Sequence, residues 1–125
     1  GKVSMDEYRR LMARADVVVN AALKEGAVTV SFDAMAMGKP LLCLDTTGYT
    51  RYFSSDYSIV VPRTGREEAI VRLKEAMLRL TDKDVRQQMG RRAQAAAENV
   101  SWQRHGEEIC DAIVGAYAHN RETSI

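Results

Sequence analysis

Apolar residues form short continuous runs in the first half of the chain and helical stripes in the second half. Residues 15–20, 41–45 and 58–62 are runs rich in Val, Leu or Ile. Such runs are typical of strands that are buried on both faces. Between them, residues 4–14 and 27–37 have the composition of helices. The pattern therefore predicts strands and helices in alternation.

Two helix ends can be predicted from single residues. Ser4 and Glu7 fit a capping box, in which the Ser side chain accepts from a free amide and the Glu side chain reaches back. Gly38 and Pro40 predict the end of the second helix, because Gly adopts the left-handed C-cap conformation and Pro cannot continue a helix.

The second half carries amphipathic segments at residues 66–80, 82–98 and 101–117. Apolar residues recur in each at intervals of three or four, which places them on one helix face. We expect all three stripes to pack into the core, with Trp102 as an anchor. The stripes are Ile70, Leu73, Met77 and Leu80; Val85, Met89, Ala93 and Ala96; and Trp102, Ile109, Ile113 and Ala116.

Alternating strands and helices predict an α/β fold with a parallel sheet and right-handed crossovers. In such folds, ligands bind at the carboxyl ends of the strands. Residues 21–26 and 46–48 follow two predicted strands, so both segments are candidates for a ligand site. The length of 125 residues suggests one domain.

Charge and cysteine usage narrow the class of protein. A net charge of +1 gives no strong field for nucleic acid or a membrane surface. The apolar runs are shorter than a membrane span, and the start has no signal-peptide pattern. Cys43 and Cys110 lie in no metal-binding or redox spacing, and we expect both to be reduced, buried thiols of a cytosolic protein.

The stretch KEGAVTVSFDAMAMGKP, residues 24–40, carries two carboxylates in apolar surroundings. Glu25, Thr29 and Asp33 fall close to one helix face, with about 12 Å between the acids along the axis. The helix N-terminus between them offers free amides that suit a phosphate or diphosphate. These amides belong to Gly26, Ala27, Val28 and Thr29. Because carboxylates accept hydrogen bonds from vicinal hydroxyls, the order acid, amides, acid matches a nucleotide-sugar.

A plainer interpretation of the two acids stands beside this one. Glu25 fits a solvated residue near a helix start, where acids are favoured. Asp33 fits the exposed face of an amphipathic helix. The spacing alone leaves both interpretations open.

The stretch EGAVTVSFDAMAMGKPLLCLDTTG resembles the E-x7-E segment of GT-B fold, retaining glycosyltransferases of the group-1 type, family 4 of the sequence classification. The usual form is E-G-x-G-x-x-x-x-E-A-M-A-x-G-x-P, and Glu25-Gly26, residues 34–36, Gly38 and Pro40 match it. The stretch ARADVVVNAALKEG resembles the strand and loop before this segment. The stretch MGRRAQAAAENVSW resembles the Met-Gly helix and the Ser-Trp before the last helix. The resemblance covers nearly the whole chain.

The resemblance implies a three-layer, Rossmann-like parallel sheet followed by C-terminal helices. Residues 1–125 would form part of the C-terminal nucleotide-sugar-binding domain. The implied reaction is retaining hexosyl transfer from a nucleotide-diphosphate sugar, with no metal ion and no cofactor.

The resemblance also implies roles for single residues. Glu25 is the expected catalytic residue at the transferred sugar, and Asp33 the expected ligand of the ribose hydroxyls. The expected ligands of sugar and diphosphate are the amides of Gly26, Ala27, Val28 and Thr29. Thr47 and Gly48, at the same sheet edge as Glu25, are candidates for contact with the donor phosphates or the acceptor. Asp33 stands where the family usually has Glu, and Val28 where Gly is common.

A GT-B enzyme has two Rossmann-like domains, and the chain resembles only the later part of the second. We therefore expect a fragment that is inactive alone, with the acceptor-binding N-terminal domain elsewhere in the same polypeptide. The strand at 15–20 would then lack a neighbour, and an unpaired strand favours self-association.

The expected partners are a nucleotide-sugar donor and a glycan, lipid or small-molecule acceptor, in polysaccharide biosynthesis, with no nucleic acid. The expected location is the cytoplasm, or the inner face of the membrane through the missing domain. Two alternatives stay open. One is a GT-B nucleotide-sugar epimerase, and the other is a stand-alone α/β binding or regulatory module of receiver-like size.

Overall fold

The computed structural model describes residues 2–24, 29–46 and 49–122. Helices and strands alternate over the first 61 residues, and three helices follow. In chain order the elements are α1 (Met5–Arg14), β1 (Val18–Asn20), α2 (Thr29–Ala36), β2 (Leu41–Leu44), a 3₁₀ turn (Tyr49–Tyr52), β3 (Ser58–Val61), α3 (Arg66–Arg79), α4 (Lys83–Ala97) and α5 (Trp102–Glu122). The predicted order of elements is confirmed.

The described strands form one parallel sheet in the order β1-β2-β3. Leu41 pairs with Val18 on one side and with Ser58 on the other, so β2 is the central strand. All four residues of β2 are buried, as the continuous apolar run predicts. The α/β class and the Rossmann-like parallel sheet are therefore confirmed.

The side chains of β2 divide the core into two clusters. Leu41 and Cys43 pack with residues of α1, α2 and α4. Leu42 and Leu44 pack on the other face, with residues of α3 and α4. Because successive side chains of a strand point to opposite faces, one four-residue strand serves both layers of helices.

The predicted helix ends are confirmed at the residues that were singled out. The Ser4 side chain accepts a hydrogen bond from the Glu7 amide at 3.2 Å, which caps α1. Gly38 has φ +63°, the left-handed conformation that ends α2 before Pro40. At α4, Asp82 caps the helix by accepting from the amides of Asp84 and Val85.

α4 crosses the end of α2 at two glycines, Gly38 just after α2 and Gly90 within α4. A Cβ on Gly90 would overlap the backbone oxygen of Gly38, and a Cβ on Gly38 would lie 3.3 Å from the backbone oxygen of Gly90. The absence of side chains at both positions lets the two helices approach at backbone distance. The two glycines come from the stretches AMAMGKP and MGRRAQ, which both carried the family resemblance.

The expected packing of the last helix is wrong. Trp102 is 90% exposed, and the described side chains of residues 102–119 are all exposed. Cys110 lies on this helix and is exposed, so the expectation that it is buried is also wrong. The pattern identified a helical apolar face correctly. It carried no information about whether another element lies against that face.

The stripe predicted for α3 is partly wrong. Ile70 and Met77 are exposed, whereas Leu73 and Leu80 pack into the core as expected. Ala69 and Ala76 complete the packed face. The face that α3 presents to the sheet therefore combines two leucines with two alanines.

Candidate functional site

The predicted ligand site lies where β1 and β2 end. The two strands are parallel neighbours, so Asn20 and Leu44 end at the same edge of the sheet. Glu25, Gly26, Ala27 and Val28 follow β1 and lie outside the described residues, as do Thr47 and Gly48 after β2. The roles predicted for these six residues therefore stay predictions. The described part of the site contains Thr29 and Asp33 on α2.

Asn20 organises the connection between β1 and α2. Its Oδ1 accepts a hydrogen bond from the Ala22 amide at 3.2 Å, which turns the chain directly after the strand. Its Nδ2 donates to Ser31 Oγ on α2 at 3.4 Å, and both residues are buried. One amide side chain thus sets both the exit from the strand and the position of the helix, since a buried polar group must find partners.

Asp33 lies one helical turn after Thr29 on α2, and its carboxylate is tied to α1. The Tyr8 hydroxyl donates a hydrogen bond of 2.7 Å to Asp33 Oδ2, in a half-buried position. No described residue donates to Asp33 Oδ1. Thr29, the first described residue of α2, is exposed. The structure therefore confirms that Asp33 and Thr29 lie on one helix, four residues apart.

Burial and the contact with Asp33 both raise the pKa of Tyr8. Burial raises the pKa of Tyr8 to about 12, and the hydrogen bond to the Asp33 carboxylate and its negative charge act in the same direction. A phenol is already protonated at physiological pH, and the raised pKa extends that state further into the alkaline range. Tyr8 acts as a permanent hydrogen-bond donor to the acid.

Tyr8 was missed by the sequence analysis. It stands 25 residues before Asp33, on a helix whose sequence indicated only a capped, amphipathic element. No spacing rule links an α1 residue to an α2 residue across an intervening strand. A tyrosine among charged residues on a first helix was the only available signal.

Polar groups also gather after β2. Asp45 Oδ1 accepts a hydrogen bond of 2.7 Å from Thr50 Oγ1, which links the end of β2 to the 3₁₀ turn. Thr46 Oγ1 is buried and has no hydrogen-bond partner among the described residues. Buried hydroxyls normally find partners. Thr46 therefore places a polar group without a described partner close to the end of β2, at the edge of the sheet.

The surroundings of Lys39 and Cys43 argue against a role in ligand binding or catalysis for either side chain. Lys39 Nζ donates to the Ala13 backbone oxygen at 2.8 Å, so it stabilises the end of α1. Burial, with the nearby Asp45 charge, raises the pKa of Cys43 to about 11. A fully buried thiol with this pKa is a packing residue and not a nucleophile.

Within residues 2–24, 29–46 and 49–122, no three His, Cys, Asp or Glu side chains are placed to hold a metal ion. In the same part of the chain, no helix combines the length and the apolarity needed to cross a bilayer.

The comparison with known families agrees with the geometry. The model of the glycosyl transferase-like family matches residues 1–111 of the 125, from the start of the chain into α5. No curated protein matches the chain significantly. The match spans the parallel sheet, the α2 helix with Asp33 and the glycine crossing of α2 and α4. The resemblance to group-1-type glycosyltransferases is thereby confirmed, and the chain belongs to the glycosyl transferase-like family.

Proposed function

We propose that this chain is the donor-binding part of a retaining glycosyltransferase. The enzyme would transfer a hexose from a nucleotide-diphosphate sugar to a glycan, lipid or small-molecule acceptor. Membership of the glycosyl transferase-like family supports glycosyl transfer in general. The finer assignment rests on the α2 helix and its acid.

The observation that carries the proposal is the arrangement of Asp33. Its carboxylate is oriented by Tyr8, and Oδ1 receives no bond from a described residue. It projects from a helix that follows the carboxyl edge of a parallel sheet, which is the usual ligand edge of such folds. An oriented carboxylate with one oxygen that receives no bond from the described residues suits the hydroxyls of a ribose.

In the proposed mechanism, the donor binds along α2 and the residues that precede this helix. Glu25 orients the transferred sugar, and Asp33 holds the ribose. The amides of Gly26, Ala27, Val28 and Thr29 bind the diphosphate, and Thr47 and Gly48 contact the donor phosphates or the acceptor. As the bond from the anomeric carbon to the diphosphate breaks, the acceptor oxygen bonds to that carbon and its proton passes to the leaving diphosphate. Negative charge grows on the leaving group during this step, and oriented amides stabilise that charge without a metal ion.

We further propose that the acceptor site and the rest of the donor domain belong to other parts of the same polypeptide, and that residues 1–125 alone are inactive. The edge of β1 supports this. Among the described strands β1 pairs only with β2, and Val19 in the middle of β1 is 49% exposed. An edge strand of this kind accepts another strand readily, from the same polypeptide or from a second copy.

The experiment measures nucleotide release by the whole polypeptide from a panel of UDP-, GDP- and ADP-sugars. Wild type is compared with Glu25→Ala and with Asp33→Asn. Lys39→Ala is the control, because among the described residues Lys39 Nζ donates to a backbone carbonyl near the end of α1. Far-ultraviolet circular dichroism verifies that each variant is folded.

We expect release from one donor, loss of at least a hundredfold in kcat for Glu25→Ala, and a raised KM for Asp33→Asn. The sugar product should keep the anomeric configuration of the donor. Turnover of the donor without transfer would replace the proposal by an epimerase. No release from any donor, together with no nucleotide binding, would overturn it.

A further inference from the structure

We infer that Tyr8 is a positioning residue of the donor site, which orients the Asp33 carboxylate so that Oδ1 receives the ribose hydroxyls of the donor. This inference rests on the proposed function, because it assigns to Asp33 a nucleoside ligand. It adds a residue from α1 to a site whose other members lie on α2 and on the loops at the sheet edge.

The hydrogen bond has the geometry of a strong, charge-assisted contact. The Tyr8 hydroxyl lies 2.7 Å from Asp33 Oδ2, within the range of about 2.5–2.7 Å for O–H donors to carboxylates and at its long end. The Tyr8 ring packs against the cluster that holds Met35 and Phe53, so the ring itself is anchored. An anchored donor fixes both torsion angles of a short Asp side chain.

The two carboxylate oxygens of Asp33 differ in their contacts. Oδ2 is held by Tyr8, and no described residue donates to Oδ1. An Asp without this contact would rotate between several conformations and lose entropy when a ligand binds. Holding the carboxylate in advance removes part of that cost, which is the physical basis of preorganisation.

A purely structural role, in which Tyr8 ties α1 to α2, is weakened by a second link between the same two helices. Lys39, directly after α2, donates to the Ala13 backbone oxygen at the end of α1. Met12 of α1 is buried in the same core cluster as Met35 of α2. Because α1 is held at its far end and by its core face, the Tyr8 hydroxyl is not needed to keep the helices together.

The test is a double-mutant cycle on the whole polypeptide. The variants are Tyr8→Phe, Asp33→Asn and the pair together. Calorimetric titration determines the Kd for UDP, GDP and ADP. The diphosphate that binds wild type most tightly is then compared with its 2′,3′-dideoxy counterpart, which lacks the hydroxyls assigned to Asp33.

Tyr57→Phe is the matched control. Tyr57 packs in the same cluster as Tyr8, and its hydroxyl donates to the Tyr52 backbone oxygen at 2.9 Å. Tyr57→Phe therefore removes a phenol hydroxyl from the same cluster and leaves the Tyr8–Asp33 contact intact. Thermal unfolding of each variant separates a change in stability from a change in affinity.

We expect Tyr8→Phe to weaken binding of the ribose form roughly three- to tenfold, the share expected from immobilising one side chain. The dideoxy form should bind wild type and Tyr8→Phe equally. In the Asp33→Asn background, Tyr8→Phe should have no further effect, and Tyr57→Phe should bind like wild type.

Three outcomes would overturn the inference. If Asp33→Asn weakens binding and Tyr8→Phe does not, the inference fails and the proposed function stands. If Tyr8→Phe weakens the ribose and dideoxy forms equally, its role is structural. If wild type binds none of the three diphosphates, the proposed function fails, and the inference fails with it.

Discussion

Helices α4 and α5 both repeat apolar residues every three or four positions, and they lie in opposite surroundings. In α4, Met89 is 4% exposed and Ala93 is fully buried between the sheet and α2. In α5, Ile113 is 62% exposed, and no described side chain of residues 102–119 is buried. The two helices therefore differ in what faces them and not in the kind of pattern they carry.

The difference lies in the neighbours that each helix can reach. α4 presents Gly90 and Ala93, which are small enough for the backbone of α2 to approach. α5 presents large apolar side chains that no described element covers. Burial of an apolar side chain stabilises a protein only where another surface excludes water from it. The comparison predicts different responses of the two regions to the same perturbation.

The largest expected difference is in the reactivity of the two cysteines. Cys43 is fully buried in β2, and its pKa is raised to about 11, whereas Cys110 is exposed on α5. Thiol-specific labelling at pH 8 should modify Cys110 at least about a thousandfold faster, because Cys43 reacts only after the core opens.

Mass spectrometry of peptides over a time course measures both labelling rates in the 125-residue chain. Addition of a denaturant should bring the two rates together, which serves as the internal control. Slow labelling of Cys110 in the native chain would mean that α5 is covered in solution, and the comparison would break.

The second prediction compares Leu42→Ala with Ile113→Ala. Leu42 in β2 is fully buried on the face that α3 covers, so its truncation should cost about 2–5 kcal/mol of unfolding free energy. Ile113→Ala removes an exposed side chain and should change stability by no more than about 0.5 kcal/mol. Urea denaturation followed by circular dichroism measures both, and equal losses would contradict the difference in burial.

The smallest effect is expected from glycines within the two helices. A Cβ at Gly90 overlaps the Gly38 backbone, so Gly90→Ala should destabilise the chain by about 1–3 kcal/mol. Gly106 on α5 has no atom within 4 Å of an added Cβ, and Gly106→Ala should raise helix stability by about 0.5–1 kcal/mol.

Gly90→Ala should lower the urea midpoint, and Gly106→Ala should raise it, although the chemical change is the same. Gly115, also on α5 with open space around it, offers a repeat of the second measurement. A gain in stability for Gly90→Ala would mean that α2 and α4 do not approach as closely in solution.

Much of the fold was predictable because its causes are local. The buried run of β2, the Ser4 cap and the left-handed Gly38 each depend on neighbours within four residues. The position of Asp33 on a helix after β1 was predictable for the same reason. The exposure of Trp102 and Cys110 was not predictable, since it depends on which distant element lies opposite.

The candidate site divides in the same way. Asp33 and Thr29 were found from their spacing along one helix. Tyr8 was not, because its contact with Asp33 joins two helices across an intervening strand. The contact between Asn20 and Ser31 escaped prediction as well, because an Asn at the end of an apolar run gives no sign of the side chain it will reach.

The sequence by itself determined the alternation of strands and helices, the helix ends and the continuous apolar run of β2, because torsional preferences and hydrophobic periodicity act over a few residues. Tertiary structure alone decided that the α4 stripe is buried while that of α5 is exposed, and that Tyr8 holds Asp33. The physical reason is that burial and side-chain hydrogen bonds require a second surface. The chain acquires that surface only when residues distant in sequence are brought together.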